Sequence, residues 1–445
     1  MSTLTSILAC PRCGISLDKF HCKACQLEFP IIEDIPWLFA DPDAARTDWR
    51  NRWNLALADL NSRLSQAKIA LAGCSSTAKP RLNTLVTGYE KQIHATRELL
   101  AGLALGPAAD LTTYLALKTR LPPQAELFSY DANVFRDWCW GDTENLLSLE
   151  AIIDILDGVK PRRILTLGSG AGRLSYDLHQ HLNPELSVAM DMNPLLATVA
   201  RRLAAGDKVD LVEFPRAPVD GASVAISRSL YAPEKASAGF EVVLADAMRP
   251  PFQPGSFDLV VTPWLLDVID ASPAEFIKGL NPLLRPGGLW IHHGSLAFTH
   301  ADPAQCPDLA ELRELNRECG FGEQQSSEIT GPYLDSPVSR HARRETLVTL
   351  RATKISDCGE LPRYQALPDW LAKGRAPIPL LPAFQTQAMT TRIHAFNMTL
   401  VDGQRSLQDI ARVLEEQQLM PKADAEVAIR GFLIKMFEEA LQRGR

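Results

Sequence analysis

Short apolar runs alternate with helix-like stretches through the middle of the chain. Mostly apolar residues occupy positions 164–167, 188–190 and 257–261, and residues 174–182 between the first two runs have the character of a helix. Strands that alternate with helices indicate parallel strands joined by helical crossovers. The pattern therefore predicts an α/β fold with a doubly wound sheet from about residue 162 to residue 354.

The segments around this sheet have other patterns. Apolar residues recur every three or four positions from residue 47 to about 105, with one break at residues 77–80, which predicts two long amphipathic helices in an antiparallel hairpin. Helical character continues through 115–155. Residues 207–239 form a long loop-like insertion, either a substrate cover or a plain surface loop. The alternation at 345–350 predicts a final antiparallel strand.

The composition changes after residue 356. Prolines at 362, 368, 377, 379 and 382 predict a linker with little regular structure. Beyond it, Ser406 is a candidate N-cap, and residues 424–441 have the pattern of an amphipathic helix. This small α-rich segment resembles the winged-helix module related to PqqD, which docks peptide substrates. A helical cap on the sheet domain and a dimerisation element are the alternatives.

Length and composition bound the class of protein. A chain of 445 residues with 46% hydrophobic and 22% charged residues is typical of a globular protein with two to four domains. No apolar run approaches the ~20 residues that cross a bilayer, and the first nine residues lack a signal-peptide pattern. A cytoplasmic protein without membrane contact is expected. The net charge of −7 disfavours a large nucleic-acid footprint.

Three alternating glycines follow the first predicted strand. Gly168, Gly170 and Gly172 lie in a strand-to-helix turn, where glycine permits unusual backbone angles and close approach of a ligand. Asp191 ends the second strand, where a carboxylate can accept hydrogen bonds from both ribose hydroxyls of a nucleotide. A dinucleotide fingerprint needs two residues between its second and third glycines. This turn has one, which disfavours a nicotinamide dinucleotide.

The same turn resembles the S-adenosylmethionine (SAM) site of class I methyltransferases. Asp246 and Ala247 resemble the end of that family's third strand, whose Asp contacts the adenine amine, and residues 283–288 resemble the turn before its fifth strand. The resemblance implies a Rossmann-like sheet that binds SAM through the three glycines, Asp191, Asp246 and Ala247. Thr166 stands where the family usually has an acidic residue near the cofactor's amino group, which implies weaker binding.

Four of the nine cysteines have metal-ligand spacing. Cys10, Cys13, Cys22 and Cys25 form C-x2-C-x8-C-x2-C, which favours a closed structural Zn²⁺ site over two disulfides or a redox pair. The surrounding sequence resembles the Trm112-like zinc ribbon, a module fused to methyltransferases or serving as their activating partner. The other five show no ligand spacing and are expected to be ordinary thiols: Cys74, Cys139, Cys306, Cys319 and Cys358.

Residues after the fourth and fifth strands are expected to contact the methyl acceptor. Methyl transfer from a sulfonium is an in-line displacement, so the enzyme aligns the acceptor and, where required, removes a proton. Residues 262–265 read Thr-Pro-Trp-Leu, which departs from the Asn-Pro-Pro-Tyr type of site used for amides and base amines. His292 and His293 follow on the fifth strand and point to opposite faces.

A second resemblance concerns the acceptor. Arg136-Asp137-Trp138, the glycine loop ending in Arg173-Leu174, and the stretch from Trp290 to Leu296 resemble the carnosine N-methyltransferase (N2227-like) family. This implies N-methylation of an imidazole or similar nitrogen in a small histidine-containing peptide, with Asp267 orienting the acceptor and Arg173 lining the cofactor. Phe298 stands where the family has an aromatic hydroxyl, which argues against carnosine itself.

The roles of the histidines and tryptophans are left open by the sequence. His293 is a candidate proton acceptor because imidazole titrates near neutral pH, and a histidine with satisfied hydrogen bonds at a strand end is the alternative. A metal site formed by His292, His293 and His300 is not expected. Tryptophans 138, 140 and 264 either wall an aromatic substrate pocket or belong to the core.

The sequence thus predicts a zinc ribbon, a helical region, a methyltransferase domain, a linker and a small C-terminal domain. Their bounds are 1–42, 43–155, 156–355, 356–385 and 386–445. The favoured function is SAM-dependent N-methylation of a small molecule or peptide. An RNA methyltransferase that grips RNA with its ribbon is one alternative, and a non-catalytic scaffold is another. A protein partner bound through the ribbon or the C-terminal module is a further expectation.

Overall fold

The computed structural model describes residues 2–104, 126–269, 271–298, 303–358, 370 and 375–443. The chain divides into two compact units, one formed mainly by the residues up to 368 and one by the residues from 369 onwards. Among the described residues, no helix is long and apolar enough to cross a membrane.

The N-terminal segment is a small module with a short helix and two short antiparallel strand pairs. Its elements are α1 (Ser2–Thr5), β1 (His21–Cys22), β2 (Leu27–Glu28), β3 (Ile31–Ile32) and β4 (Ile35–Pro36). Leu8, Phe29 and Leu38 are almost fully buried and belong to the main core of the first unit. Because these side chains are shared with the sheet, the module has no core of its own.

Two long helices follow, as the apolar spacing predicts. They are α2 (Pro42–Ala72) and α3 (Lys79–Leu99). The Asp41 carboxylate caps α2 by accepting a hydrogen bond from Ala44 N at 3.0 Å. Lys68 Nζ and Glu90 Oε1 pair at 2.7 Å across the two helices. The first part of the predicted helical stretch at 115–155, up to residue 125, lies outside the described residues.

A π-helical turn interrupts the helices before the sheet. It spans Arg136–Trp140, between α4 (Asp131–Phe135) and α5 (Asp142–Leu156). Gly141 N closes the turn by donating to Arg136 O at 2.8 Å. A Cβ on Gly141 would lie 2.5 Å from that oxygen, so only glycine fits there. Such turns are frequent at functional sites, and this one displays the Arg136-Asp137-Trp138 motif.

The sheet has seven strands, which are β5 (Arg163–Leu167), β6 (Leu186–Asp191), β9 (Phe240–Leu244), β10 (Phe257–Pro263), β11 (Leu284–Gly294), β12 (Phe321–Tyr333) and β13 (Arg343–Lys354). Their order in the sheet is β12-β13-β11-β10-β5-β6-β9. Its helices are α6 (Arg173–Leu182), α7 (Pro194–Ala204), α8 (Pro273–Leu280) and α9 (Leu309–Glu318). Strand β13 is antiparallel to both neighbours. The predicted Rossmann-like sheet and its antiparallel strand are confirmed.

The N-terminal module lies against one edge of this sheet. Leu38 N donates to Leu244 O at 2.7 Å, at the end of the edge strand β9, and Ala9 N donates to Pro251 O at 2.9 Å. Unpaired edge strands invite association with other chains. The module therefore covers part of the edge that β9 would otherwise leave open.

The insertion between the second and third strands of the sheet is a hairpin, so the expectation of a loop is wrong. Its strands are β7 (Val209–Glu213) and β8 (Ile226–Leu230). Val212 N donates to Gln92 Oε1 of α3 at 2.8 Å, and the rings of Tyr89 and Phe214 stack at 4.9 Å. Packing against α3, which the local sequence does not reveal, stabilises the pair.

The described residues from 375 onwards form three helices in the C-terminal unit. They are α10 (Pro382–Thr399), α11 (Leu407–Glu416) and α12 (Lys422–Arg443). Ser406 caps α11, as predicted, with its Oγ accepting from Asp409 N at 3.2 Å. Helix α10 begins within the predicted linker, because proline is favourable in the first turn of a helix. The described part of 386–445 contains no strand, so the winged-helix resemblance stays a prediction.

Candidate functional site

The glycine loop adopts the left-handed conformation that its sequence predicts. The φ angles of Gly168, Gly170 and Gly172 are 70°, 57° and 85°, which glycine adopts without steric cost. A Cβ on Gly172 would lie 2.6 Å from the Ala200 Cβ, so this glycine permits close packing of α6 against α7. A Cβ on Gly170 would meet no described atom within 4 Å. The loop is thus open to a ligand at its centre.

Asp191 holds this loop from the end of the neighbouring strand. Its Oδ2 accepts from Gly170 N at 2.8 Å, and its Oδ1 accepts from Asn193 N at 2.8 Å. Burial raises the pKa of Asp191, and the backbone hydrogen bonds oppose that effect. Each carboxylate oxygen accepts more than one hydrogen bond. Asp191 can therefore organise the loop and still receive two hydroxyls.

Asp246 and Ala247 lie at the same edge of the sheet. Ala245 N donates to Asp191 O at 3.0 Å, which brings the end of β9 to the end of β6. Asp246 Oδ1 accepts from Met248 N at 2.9 Å and so shapes the following turn. Thr166 is buried within β5. The structure brings together the glycines, Asp191, Asp246 and Ala247, as the sequence predicts, but their contact with SAM stays a prediction.

Arg173 is engaged by protein groups. Its Nε donates to both carboxylate oxygens of Asp177, at 3.0 and 2.9 Å, and its Nη1 donates to Asp137 O at 2.8 Å. Its Cζ lies 5.4 Å from the ring centroid of Trp138. These contacts attach the π-helical turn to the start of α6. Direct contact between Arg173 and the cofactor stays a prediction.

The four N-terminal cysteines form one cluster. The Sγ atoms of Cys10, Cys13, Cys22 and Cys25 all lie within 4.8 Å of one another, and those of Cys13 and Cys22 are 3.6 Å apart. Four thiolates around one tetrahedral zinc have sulfurs about 3.8 Å apart, whereas disulfide sulfurs are about 2 Å apart. All four are free thiols. The cluster is compatible with zinc and contains no disulfide.

Aromatic and cationic side chains meet at the ends of β10, β11 and β12. The ring of Trp264 is perpendicular to that of His293, with centroids 5.0 Å apart, and lies 6.1 Å from the ring of Tyr333. The Cζ of Arg136 lies 5.3 Å from the Trp264 ring and 5.6 Å from the Tyr333 ring. The Arg-Asp-Trp motif and the two predicted acceptor segments thus form a single cluster.

Three buried polar atoms beside this cluster lack a hydrogen-bond partner among the described residues. They are Trp264 Nε1, Asp267 Oδ1 and His293 Nε2. Buried polar groups in proteins are almost always hydrogen-bonded, so these atoms are available to a ligand or an ordered water. Leu265, in the same segment, lies 3.0 Å from where a Cβ on Gly168 would be. The segment that carries Trp264 and Asp267 therefore packs near the glycine loop through Leu265.

Burial changes the titration of these groups in opposite directions. It raises the pKa of the Asp267 carboxyl. It lowers the pKa of His293 to about 3 and that of His292 to about 4, so both imidazoles are neutral at pH 7. His293 Nδ1 hydrogen-bonds with Thr349 Oγ1 at 3.0 Å. These shifts favour Asp267 as the proton acceptor and His293 as a hydrogen-bonding group, and both roles stay predictions. His300 lies outside the described residues.

Tyr333, Tyr130 and Glu213 were not singled out by the sequence. Burial raises the pKa of Tyr130, and so do the nearby charges of Asp191 and Asp267. Glu213 at the end of β7 accepts from Trp140 Nε1 at 3.2 Å and links the insertion to the π-helical turn. The sequence motif of the π-helical turn is the one local feature that draws attention to Trp140. The partner of that side chain, more than 70 residues away, had no local signal.

Comparisons with known proteins agree with this geometry. Residues 165–292 match a family described as "Methyltransferase domain". A curated relative, the polyamine aminopropyltransferase of Aeropyrum pernix, is 27% identical over 162 residues, which cover 34% of this chain and 43% of the relative. The match thus spans less than half the length of that relative.

Solved structures with a similar chain path include two N-methyltransferases. NodS of Bradyrhizobium japonicum is 14% identical, with a TM-score of 0.33 over 55% of this chain and 99% of its own. Phosphoethanolamine N-methyltransferase 2 of Haemonchus contortus is 14% identical, with a TM-score of 0.34 over 52% of this chain and 58% of its own. At these TM-scores, the likenesses carry no argument about substrate.

The sheet order, the glycine loop held by Asp191 and the family match concern the same part of the chain. Residues 165–292 form a SAM-dependent methyltransferase domain on the class I fold.

Proposed function

We propose that the protein transfers the methyl group of SAM to a nitrogen of a small acceptor, such as an imidazole or amine in a short peptide. The observation that carries this proposal is the unpartnered, buried Asp267 Oδ1, in the segment after β10 whose Leu265 packs near Gly168. A carboxylate there receives the N–H of a nitrogen acceptor. The name of the curated relative implies transfer of an aminopropyl group to an amine, which supports a nitrogen acceptor.

In this proposal, one set of residues binds SAM and another set binds the acceptor. The glycine loop, Asp191 and Asp246 would hold SAM, which supplies an electrophilic methyl group. Asp267 accepts the N–H of the acceptor, orients the nitrogen lone pair along the line of attack and takes the proton released. Neutral His293 offers Nε2 as a further hydrogen-bonding atom, and Trp264 Nε1 donates to an oxygen of the acceptor.

The same proposal covers the two flanking modules. The four thiolates at Cys10, Cys13, Cys22 and Cys25 hold a structural zinc ion in a Trm112-like ribbon, which is supported by their sulfur spacing. In this chain the ribbon covers the edge of its own methyltransferase sheet, through Leu38 and Leu244. We assign the C-terminal helices to the recruitment of a peptide acceptor, as their resemblance to the PqqD-related module implies.

Replacing Asp267 with asparagine is expected to lower kcat by about 100-fold or more, because the amide does not take up the proton. S-adenosylhomocysteine (SAH) affinity is expected to be unchanged. Methyl transfer and calorimetric titration measure the two effects. Asp210→Asn, at an exposed acid on β7, is the control. Full activity in Asp267→Asn would exclude this carboxylate from the reaction.

Activity is expected to fall as the pH decreases. The fall should begin at a higher pH than it would with an ordinary carboxylate, whose pKa is about 3.9. The basic form of Asp267 accepts the proton, and burial raises its pKa, so protonation removes the base earlier as the pH falls. The pH profile of kcat at saturating SAM and saturating acceptor measures this limb, because kcat reports groups in the bound complex and not the protonation of the free acceptor. The account is contradicted if Asp267→Asn retains the same limb.

A further inference from the structure

A row of aromatic and cationic side chains in contact with one another extends from the buried cluster around Trp264 to an exposed arginine. Strands β12 and β13 place Tyr333 directly opposite Arg343. The Arg343 Cζ lies 4.6 Å from the centroid of the Tyr333 ring, and the Tyr333 ring lies 6.1 Å from that of Trp264. Trp264 in turn contacts His293. Arg343 therefore belongs to the outer end of the same cluster.

The two guanidinium groups against Tyr333 differ in what they can still bind. Arg136 is buried and donates to Asp137 Oδ1 from Nε at 2.8 Å and from Nη2 at 2.6 Å. The side chain of Arg343 is 52% exposed, with Nη2 3.1 Å from Glu345 Oε1. A guanidinium has five N–H donors in a planar fork, so one ion pair leaves most of them available. Arg343 is the cation that a ligand from solvent can reach.

Opposite charges lie close together at this end of the site. The nearby charge of Glu345 contributes to the raised pKa of Asp267, so the two acids share one electrostatic environment. Arg343 lies against Glu345. A ligand with one positive and one negative group would complement such an arrangement, whereas a ligand with a single charge would meet a like charge.

The geometry points to Arg343 as the residue that selects acceptors with a free carboxylate. Its guanidinium pairs with the carboxylate in the planar, two-bond geometry that arginine favours, while the acceptor nitrogen lies at Asp267. The Tyr333 ring holds the guanidinium in place. The acceptor class is then a small zwitterion, an amino acid or a short peptide with a free C-terminus. This inference rests on the proposed function.

Two histidine-containing dipeptides that differ only at the C-terminus test the inference in the full-length protein. One has a free carboxylate, and the other is its C-terminal amide. Wild-type protein is expected to prefer the acid. Arg343→Gln is expected to lower kcat/KM for the acid by about tenfold to a hundredfold, mainly through KM, and to leave the amide unchanged. Arg344→Gln is the matched control, since adjacent strand residues face opposite sides.

The possible outcomes distinguish failure of the carboxylate site at Arg343 from failure of the proposed N-methylation. The carboxylate site is overturned if the wild type has the same kcat/KM for the acid and the amide, or if Arg343→Gln loses kcat/KM equally for both. Neither result contradicts N-methylation. Transfer to neither dipeptide, nor to any other small nitrogen acceptor, overturns the proposed function and this inference with it.

Discussion

Replacing Cys22 with serine is expected to release zinc and to lower the Tm of the first unit by about 10 °C or more. The N-terminal module is too small to fold around its own side chains, and residues such as Leu8 and Phe29 belong to the core of the sheet. Loss of one thiolate would remove a ligand of the proposed zinc ion, and with it the ion that would fix the module. Metal analysis of the purified variant and thermal unfolding measure both effects.

The Cys22→Ser substitution is also expected to disturb the predicted cofactor site. Leu38 N donates to Leu244 O two residues before Asp246, so loosening the module loosens the turn that carries Asp246. SAH affinity should therefore fall in Cys22→Ser. Cys74→Ser is the control, because this thiol lies between α2 and α3, outside the cluster. A wild-type protein without zinc, or a Cys22→Ser protein as stable as the wild type, would refute the metal site.

Asp191→Ala is expected to weaken SAH binding at least about 100-fold, because hydrogen bonds to a charged group contribute about 1.5–3 kcal/mol each. The substitution removes the acceptor for both Gly170 N and Asn193 N, and with it the predicted acceptor for the ribose hydroxyls. Calorimetric titration measures the loss.

Two controls separate a lost contact from a lost fold. Asp210→Ala removes an exposed acid on β7 and should leave affinity unchanged. The Asp191→Ala protein should keep the circular dichroism spectrum of the wild type. Unchanged SAH affinity in a folded Asp191→Ala protein would overturn the assignment of the cofactor site.

The sheet and the cofactor loop were predictable because their signals are local. A buried parallel strand is a continuous apolar run, and a turn that needs left-handed backbone angles needs glycine, as at Gly168 and Gly170. The sequence pattern did not predict strand β12, because most of its residues are polar and only partly buried. The hairpin β7–β8 escaped because its partner is α3, far away in the chain.

The candidate site divides in the same way. Asp267 follows β10 and His293 lies near the end of β11, so the fold class places both at the carboxyl edge of the sheet. Tyr333 and Arg343 enter the site through β12 and β13, and their pairing depends on the register of these strands. The burial that lowers the pKa of His293 depends on packing from several elements. Such features are properties of the folded chain and have no local sequence signal.

Methyl transfer itself tests the central claim most directly. The full-length protein is incubated with SAM carrying an isotopically labelled methyl group, together with small peptides, free amines and RNA, and the labelled product is identified by mass spectrometry and NMR. The account predicts label on a nitrogen of a small acceptor, with SAH formed in equal amount. Label found in RNA alone, or no transfer by a protein that binds SAH, would contradict it.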